Sequence, residues 1–137
     1  MRLVYMGSPL EAIEPLKYLL ESGGEQSSDK FDIVAVVSAP AKPAGRGRKL
    51  LDPAVASFAK DSGLRVLQPE KASHPDFLAE LDHLAPDVVI TCAYGQILTE
   101  KFLAVPRRAT INIHPSKLPA YRGATPVQTS LLNGDLV

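Results

Sequence analysis

The feature that most constrains this chain is a repeated alternation of short apolar runs with segments that carry helix-start signals. "RLVYMG" meets "SPLE", where Ser8 can cap a helix, Pro9 takes its first position and Glu11 completes a capping box. The helix is expected through "LEAIEPLKYLL" to Gly23, with Pro15 kinking it or delaying its regular start. "FDIVAVVS" is a continuous β-branched run of the sort found in strands covered on both faces. A Pro/Gly-rich loop leads to Asp52-Pro53, a second cap-then-proline signal, ahead of "AVASFAKDSG" as a helix and "LRVLQ" as a third strand. Ser73 precedes an apolar spacing of Phe77, Leu78, Leu81 and Leu84 that reads as another helix. "DVVITCAYG" is a fourth strand and "ATINIHPS" a fifth, read as buried, with Ile97, Phe102 and Leu103 between them. Thr125-Pro126 opens a helix that Gly134 stops. Strands and helices in alternation, joined by short loops, require right-handed crossovers and a parallel sheet with helices on both faces, so the fold class is α/β.

A chain of 137 residues is one domain's worth. The ending "GDLV" falls where a next strand is expected, so the chain reads as cut short. Fifteen Lys and Arg balance fifteen Asp and Glu, which excludes a protein that coats nucleic acid non-specifically and makes any polyanion contact local. The single cysteine, Cys92, forms no internal disulfide, and the first residues lack a secretory pattern, so a cytoplasmic location is expected. No apolar run approaches the ~20 residues of a membrane-spanning helix, and no membrane partner is expected.

Several segments bear on chemistry. "YMGSP" has one glycine rather than a G-x-G-x-x-G pattern, so it reads as a tight turn and not as a dinucleotide site. In "SAPAKPAGRGRKL", Lys42, Arg46, Arg48 and Lys49 sit among Gly and Pro with no acid from Ser38 to Leu51. The segment is either a solvated surface loop or a phosphate-neutralising one. Period-2 alternation puts Asn112 and His114 on one face of the fifth strand near its carboxyl end, where open parallel sheets bind ligands. Either they satisfy backbone groups at a strand end, or an amide and an imidazole together donate to an oxyanion formed in acyl transfer. Ser116 lies two residues beyond His114 with no third orienting group, so a serine hydrolase is rejected. His74 and His83 read as surface residues, Cys92 as a buried one, and no metal-ligand spacing is present.

Together "NIHPSKLPAYRGATPVQ", "CAYGQIL" and "APAKPAGRGRKLL" resemble the formyltransferase domain of the methionyl-tRNA formyltransferases, in the same order and over essentially the whole chain. The resemblance implies an open, mostly parallel Rossmann-like sheet, with residues 1–137 the N-terminal part of the catalytic domain and a C-terminal tRNA-binding domain absent. It implies transfer of a formyl group from 10-formyltetrahydrofolate to the amino group of initiator methionyl-tRNA in translation initiation, without a metal. On that pattern Asn112 and His114 are two of three catalytic positions, the third an aspartate beyond Val137; Asp135 is too early to be that residue. Ser116, Lys117, Leu118 and Pro119 match the folate-binding loop, and Gln96, Ile97 and Leu98 the segment facing the pterin. The pattern departs at Lys117, where many members carry leucine, which leaves a backbone contact there but not a side-chain one. Arg46 matches the arginine associated with the acceptor stem, supported by Lys42, Arg48 and Lys49. Implied partners are folate and initiator methionyl-tRNA, with the complete protein a monomer and this fragment inactive or weak alone. Alternatives are a formyltransferase acting on an amino sugar or glycinamide ribonucleotide, and a folate-binding remnant without catalysis.

Overall fold

In the computed structural model, residues 1–23, 30–44 and 49–135 are described. Strand β1 (Arg2–Gly7) lies at the centre because both its faces are apolar. Leu3 and Tyr5 enter one core layer, Val4 and Met6 the other, and none of the four is more than 1% exposed. Each such side chain contributes roughly 1.5–3 kcal/mol on burial. Flanking β1 are β2 (Asp32–Val37) and, on its other edge, β6 (Val88–Cys92). Beyond them lie β5 (Val66–Leu67) and β7 (Ala109–Ile113), in the order β5-β2-β1-β6-β7 with every pair parallel. Among the described residues a second sheet is the antiparallel pair β3 (Lys42–Ala44) and β4 (Lys49–Leu51).

The helices divide by the direction of the crossovers. A 3-10 turn (Leu10–Ala12) runs into α1 (Ile13–Ser22), which with α2 (Ala54–Asp61) covers the face holding Leu3, Tyr5 and Val36. After β5 the chain returns across β1, and a right-handed connection then places α3 (Pro75–His83) and α4 (Glu100–Leu103) on the opposite face. There Phe77, Leu81 and Phe102 pack on Val4, Met6, Val37 and Val89. Helix α5 (Pro126–Leu132) follows Thr125 as expected and ends at Gly134, which has φ 74°. The expected doubly covered parallel sheet is the observed one. None of the described helices is long and apolar enough to cross a membrane.

Local expectations fared less evenly. Pro15 falls in the first turn of α1, so it delays the regular helix and does not kink it. Ser8 does not cap: the residue before the 3-10 turn is Pro9, with no side-chain bond, and the Ser8 hydroxyl is engaged elsewhere. Asp52 likewise leaves α2 uncapped, binding Lys60 Nζ at 2.5 Å and Gln68 Nε2 at 2.9 Å. Helix α3 is capped by His74, its Nδ1 accepting from the Asp76 N–H. The segment read as a loop between Ser38 and Leu51 has a paired stem in β3 and β4, with Lys42 opposite Leu51. The fifth strand is not buried: Ile111 is 50% and Ile113 39% exposed, because among the described residues β7 is an edge strand and no helix is packed on their face.

Two contacts fix β1 against β6. At the start, Arg2 N–H donates to Asp87 Oδ2 at 2.7 Å while Asp87 N–H donates to Arg2 O at 2.8 Å. At the end, Gly7 packs so closely that a Cβ would lie 3.0 Å from both the Ala12 Cβ and the Cys92 carbonyl oxygen. Gly7→Ala is expected to destabilise the protein by about 1–3 kcal/mol, as overpacking does, seen as a lower urea midpoint at unchanged slope. An unchanged midpoint would refute the close-packing argument. The Arg2 N–H, aided by Arg107, the N-terminus and Arg108, holds the Asp87 carboxyl below its ordinary 3.8. A depressed carboxyl contributes stability above its unfolded value and loses it as pH falls through the folded one. The stability gap between wild type and Asp87→Asn should therefore be widest near neutral pH and close as pH drops below 3.8. A gap that stays constant through that range in urea titrations would show that the charge is not what matters.

Candidate functional site

The carboxyl ends of β1, β2, β6 and β7 lie along one edge, and the strand order reverses between β1 and β6, where open α/β sheets bind ligands. Ser8 sits at this point. Its hydroxyl accepts from the Ala39 N–H at 3.1 Å and donates to the Tyr94 carbonyl at 3.4 Å, tying together the exits of β1, β2 and β6. Tyr94 turns back into the core beside Phe102 and Met6, and burial pushes its phenol up to about 12.

Asn112 and His114 stand at the end of β7. Register pairs Asn112 with Thr91 of β6, and the Thr91 hydroxyl donates to Asn112 Oδ1 at 2.7 Å. Thr91 is 5% exposed, whereas Asn112 is open to solvent. His114 follows directly after the strand and is half-buried. Its Nδ1 lies 3.0 Å from Ser116 Oγ, and that hydroxyl donates to the Ala120 carbonyl at 2.8 Å. With its proton so directed, Ser116 accepts from an Nδ1–H, and Nε2 becomes the nitrogen that takes or gives a proton. Nε2 is 3.3 Å from the Gly123 carbonyl oxygen, which accepts from it whenever it carries a proton. Gly123 has φ 111°, a conformation glycine adopts readily, and this turns the 119–123 loop back over the histidine. Among the described residues no carboxylate is hydrogen-bonded to His114. Asp135 accepts from the Tyr121 hydroxyl.

The two flanking loops are held in different ways. Gln96 is pinned on both sides of its amide: Oε1 accepts from the Ala72 N–H at 2.8 Å, and Nε2 donates to the Glu70 carbonyl at 3.2 Å. Ile97 is then 89% exposed, while Leu98 packs against the core around Phe102. Lys117, Leu118 and Pro119 are exposed, and the Leu118-Pro119 peptide is cis. Lys42 and Lys49 are exposed on the hairpin, and the register puts their side chains on the same face of it. Arg46 and Arg48 lie outside the described residues.

The site therefore gathers Asn112, His114 and Ser116 at one strand end, with Gln96, Ile97 and Leu98 on the loop after the neighbouring strand. A groove of about 650 Å³ between β5 and α3, lined by residues such as Leu67, Gln68, Glu70, His74 and Phe77, contains none of these residues. Sequence reasoning missed Thr91, whose role depends on cross-strand register, and the Gly123 carbonyl, which carries no side-chain signal. His74 and His83 are exposed and Cys92 is buried. Burial is also the main reason that the Cys92 thiol is pushed up, as expected of a core cysteine. Among the described residues no three of His, Cys, Asp and Glu are gathered as metal ligands.

Similar curated proteins include a methionyl-tRNA formyltransferase from Ruminiclostridium cellulolyticum, 43% identical over all of this chain. Those of Frankia alni and Dehalococcoides mccartyi are each 47% identical over 98% of it. The chain spans 39–42% of the length of these relatives. In fold it is similar to glycinamide ribonucleotide transformylase 1 from Symbiobacterium toebii, with TM-score 0.74 at 20% identity, covering 98% of this chain and 60% of that one. It is also similar to a phosphoribosylglycinamide formyltransferase from Anaplasma phagocytophilum, with TM-score 0.72 at 22% identity, covering 98% and 59%. A formyl transferase family model matches residues 10–137, and the chain belongs to that family.

Proposed function

We propose that this chain forms the larger part of a site that transfers a formyl group from 10-formyltetrahydrofolate to the amino group of a methionyl-tRNA. The observation that carries the reading is the pair at the end of β7: an amide held by its oxygen, and an imidazole whose Nδ1 faces Ser116 and whose Nε2 faces the Gly123 carbonyl. That arrangement suits attack of an amine on a formyl carbon. As the N–C bond forms, electrons collect on the formyl oxygen, and the Asn112 amide N–H donates to it. His114 Nε2, on leaving the Gly123 carbonyl, would donate to the same oxygen or manage the proton that the attacking amine must lose. The carbon–nitrogen bond to tetrahydrofolate then breaks, and its nitrogen leaves with a proton. Exposed apolar Ile97 and Leu118 suit the donor's flat ring, with Gln96, Leu98, Ser116, Lys117 and Pro119 shaping the two loops that carry them. An aspartate from chain following residue 137 would orient the histidine, and a further domain there would grip the tRNA.

The acceptor rests on sequence likeness: relatives at 42–47% identity are methionyl-tRNA formyltransferases, whereas the glycinamide ribonucleotide enzymes are alike in fold at 17–23%. Lys42, Arg46, Arg48 and Lys49 then serve as phosphate contacts near the acceptor stem. In the complete protein, Asn112→Ala and His114→Ala should each lower kcat by about 10²–10³, with tRNA binding kept. Replacing Arg46, Arg48 and Lys49 together by alanine should weaken methionyl-tRNA use and flatten its salt dependence. Formylation of glycinamide ribonucleotide in preference to methionyl-tRNA, or a triple variant indistinguishable from wild type, would overturn the RNA acceptor. Full turnover by residues 1–137 alone would overturn the need for a further carboxylate.

A further inference from the structure

We propose that Thr91 is a positioning residue: its buried hydroxyl fixes which end of the Asn112 amide faces the open edge of the sheet. The proposal rests on the functional reading of Asn112 given above and adds a residue to it.

The amide of an asparagine is nearly symmetric in shape, and its two ends have opposite polarity. An NH₂ group facing a developing oxyanion stabilises it, and a C=O group in the same place repels it. A site built on asparagine therefore needs something that chooses the end. On this chain the choice is made across the sheet. Asn112 on β7 is in direct register with Thr91 on β6, and Oγ1 lies 2.7 Å from Oδ1. A hydroxyl can donate or accept, so the distance alone does not set the direction. Burial does. Thr91 is 5% exposed, and among the described residues its hydroxyl makes this one hydrogen bond. Donation to Oδ1 satisfies the hydroxyl proton, whereas the flipped amide would leave that proton buried without an acceptor. Asn112, being solvent-exposed, has no burial of its own to hold it. The carbonyl end is thus drawn toward β6, and both Nδ2 protons are left for whatever occupies the edge.

The alternation of the neighbouring strand explains why a threonine can stand there. Residues 90 and 92 of β6 belong to the core on the α1 and α2 side, so Thr91 faces the opposite way, as does its partner Asn112. Thr91 is a polar side chain on a strand otherwise filled by valine, isoleucine and cysteine. The methyl group keeps the packing of a β-branched residue, and the hydroxyl sits one strand away from the reacting edge.

The test uses two variants. Thr91→Val keeps the shape and removes the hydroxyl, and Thr91→Ser keeps the hydroxyl. The chain has two asparagines, Asn112 and Asn133, so selective asparagine labelling gives two side-chain signals to follow by NMR, with Asn133 as an internal control. In Thr91→Val the Asn112 Cγ and Nδ2 signals should shift and its amide contacts average over two orientations, while Asn133 stays unchanged. Thr91→Ser should restore the wild-type pattern. In formyl transfer by the complete protein, Thr91→Val should lower kcat about two- to tenfold, the effect of losing one ordinary hydrogen bond, with KM for the formyl donor unchanged. In the Asn112→Ala background the same change should have no further effect. Asn112 signals that do not move in Thr91→Val overturn the proposal, and so does a kcat loss that persists in the Asn112→Ala background. If Asn112→Ala itself leaves transfer intact, the functional reading falls, and the NMR comparison alone then decides whether Thr91 sets the amide.

Discussion

The structure depends on β1 being enclosed on both edges and both faces. Its backbone is paired with β2 on one side and β6 on the other, and Leu3, Val4, Tyr5 and Met6 fill the cores above and below it. Because the first strand is central, the chain must build outward in one direction, then cross back and build in the other. That crossing creates the crevice at the ends of β1 and β6. The close approach at Gly7, the Ser8 hydroxyl and the turn of Tyr94 into the core are all adaptations at that one place.

From this frame, the polarity of the candidate site follows by short steps. β6 is held by β1, β7 by β6, and Thr91 reaches Asn112 because the register leaves no choice. The loop after β6 is held through Gln96, whose amide reads the backbone of residues 70 and 72, so the approach to α3 helps set the position of Ile97 and Leu98. The loop after β7 is held from within, through Ser116 to Ala120 and through His114 to Gly123. Asn112 and His114 themselves make few hydrogen bonds, and their surroundings hold them. This is the usual division between a site's working atoms and the shell that aims them.

Much of this was legible in the sequence. The alternation of apolar runs and helix signals carried the α/β class, since a continuous run such as "FDIVAVVS" needs cover on both faces. The interruption of a strand by Asn112 and His114 pointed to its carboxyl end. What escaped was set by partners distant in sequence. Ser8 looks like a helix cap until its hydroxyl finds an amide just beyond β2 and a carbonyl beyond β6, 31 and 86 residues away. Asp52 was drawn away from capping by Lys60 and Gln68 in the same way. The hairpin strands β3 and β4 are three residues each and one contains Pro43, too little for a period-2 signal. Strand β7 reads as buried by composition, but burial belongs to its neighbours and not to its residues.

The position of β7 has a consequence for how the molecule comes to be. β1, β2, β5 and β6 all precede it in the chain, so every other described strand of the parallel sheet is synthesised before Ala109 to Ile113. The strand bearing Asn112 is thus the last of the sheet's described strands to be synthesised, and its pairing partner is the edge of β6. Thr91 precedes Asn112 by 21 residues in the chain. Until that pairing forms, β6 keeps an open edge, so the two strand ends of the candidate site come together only once the last described strand has been added.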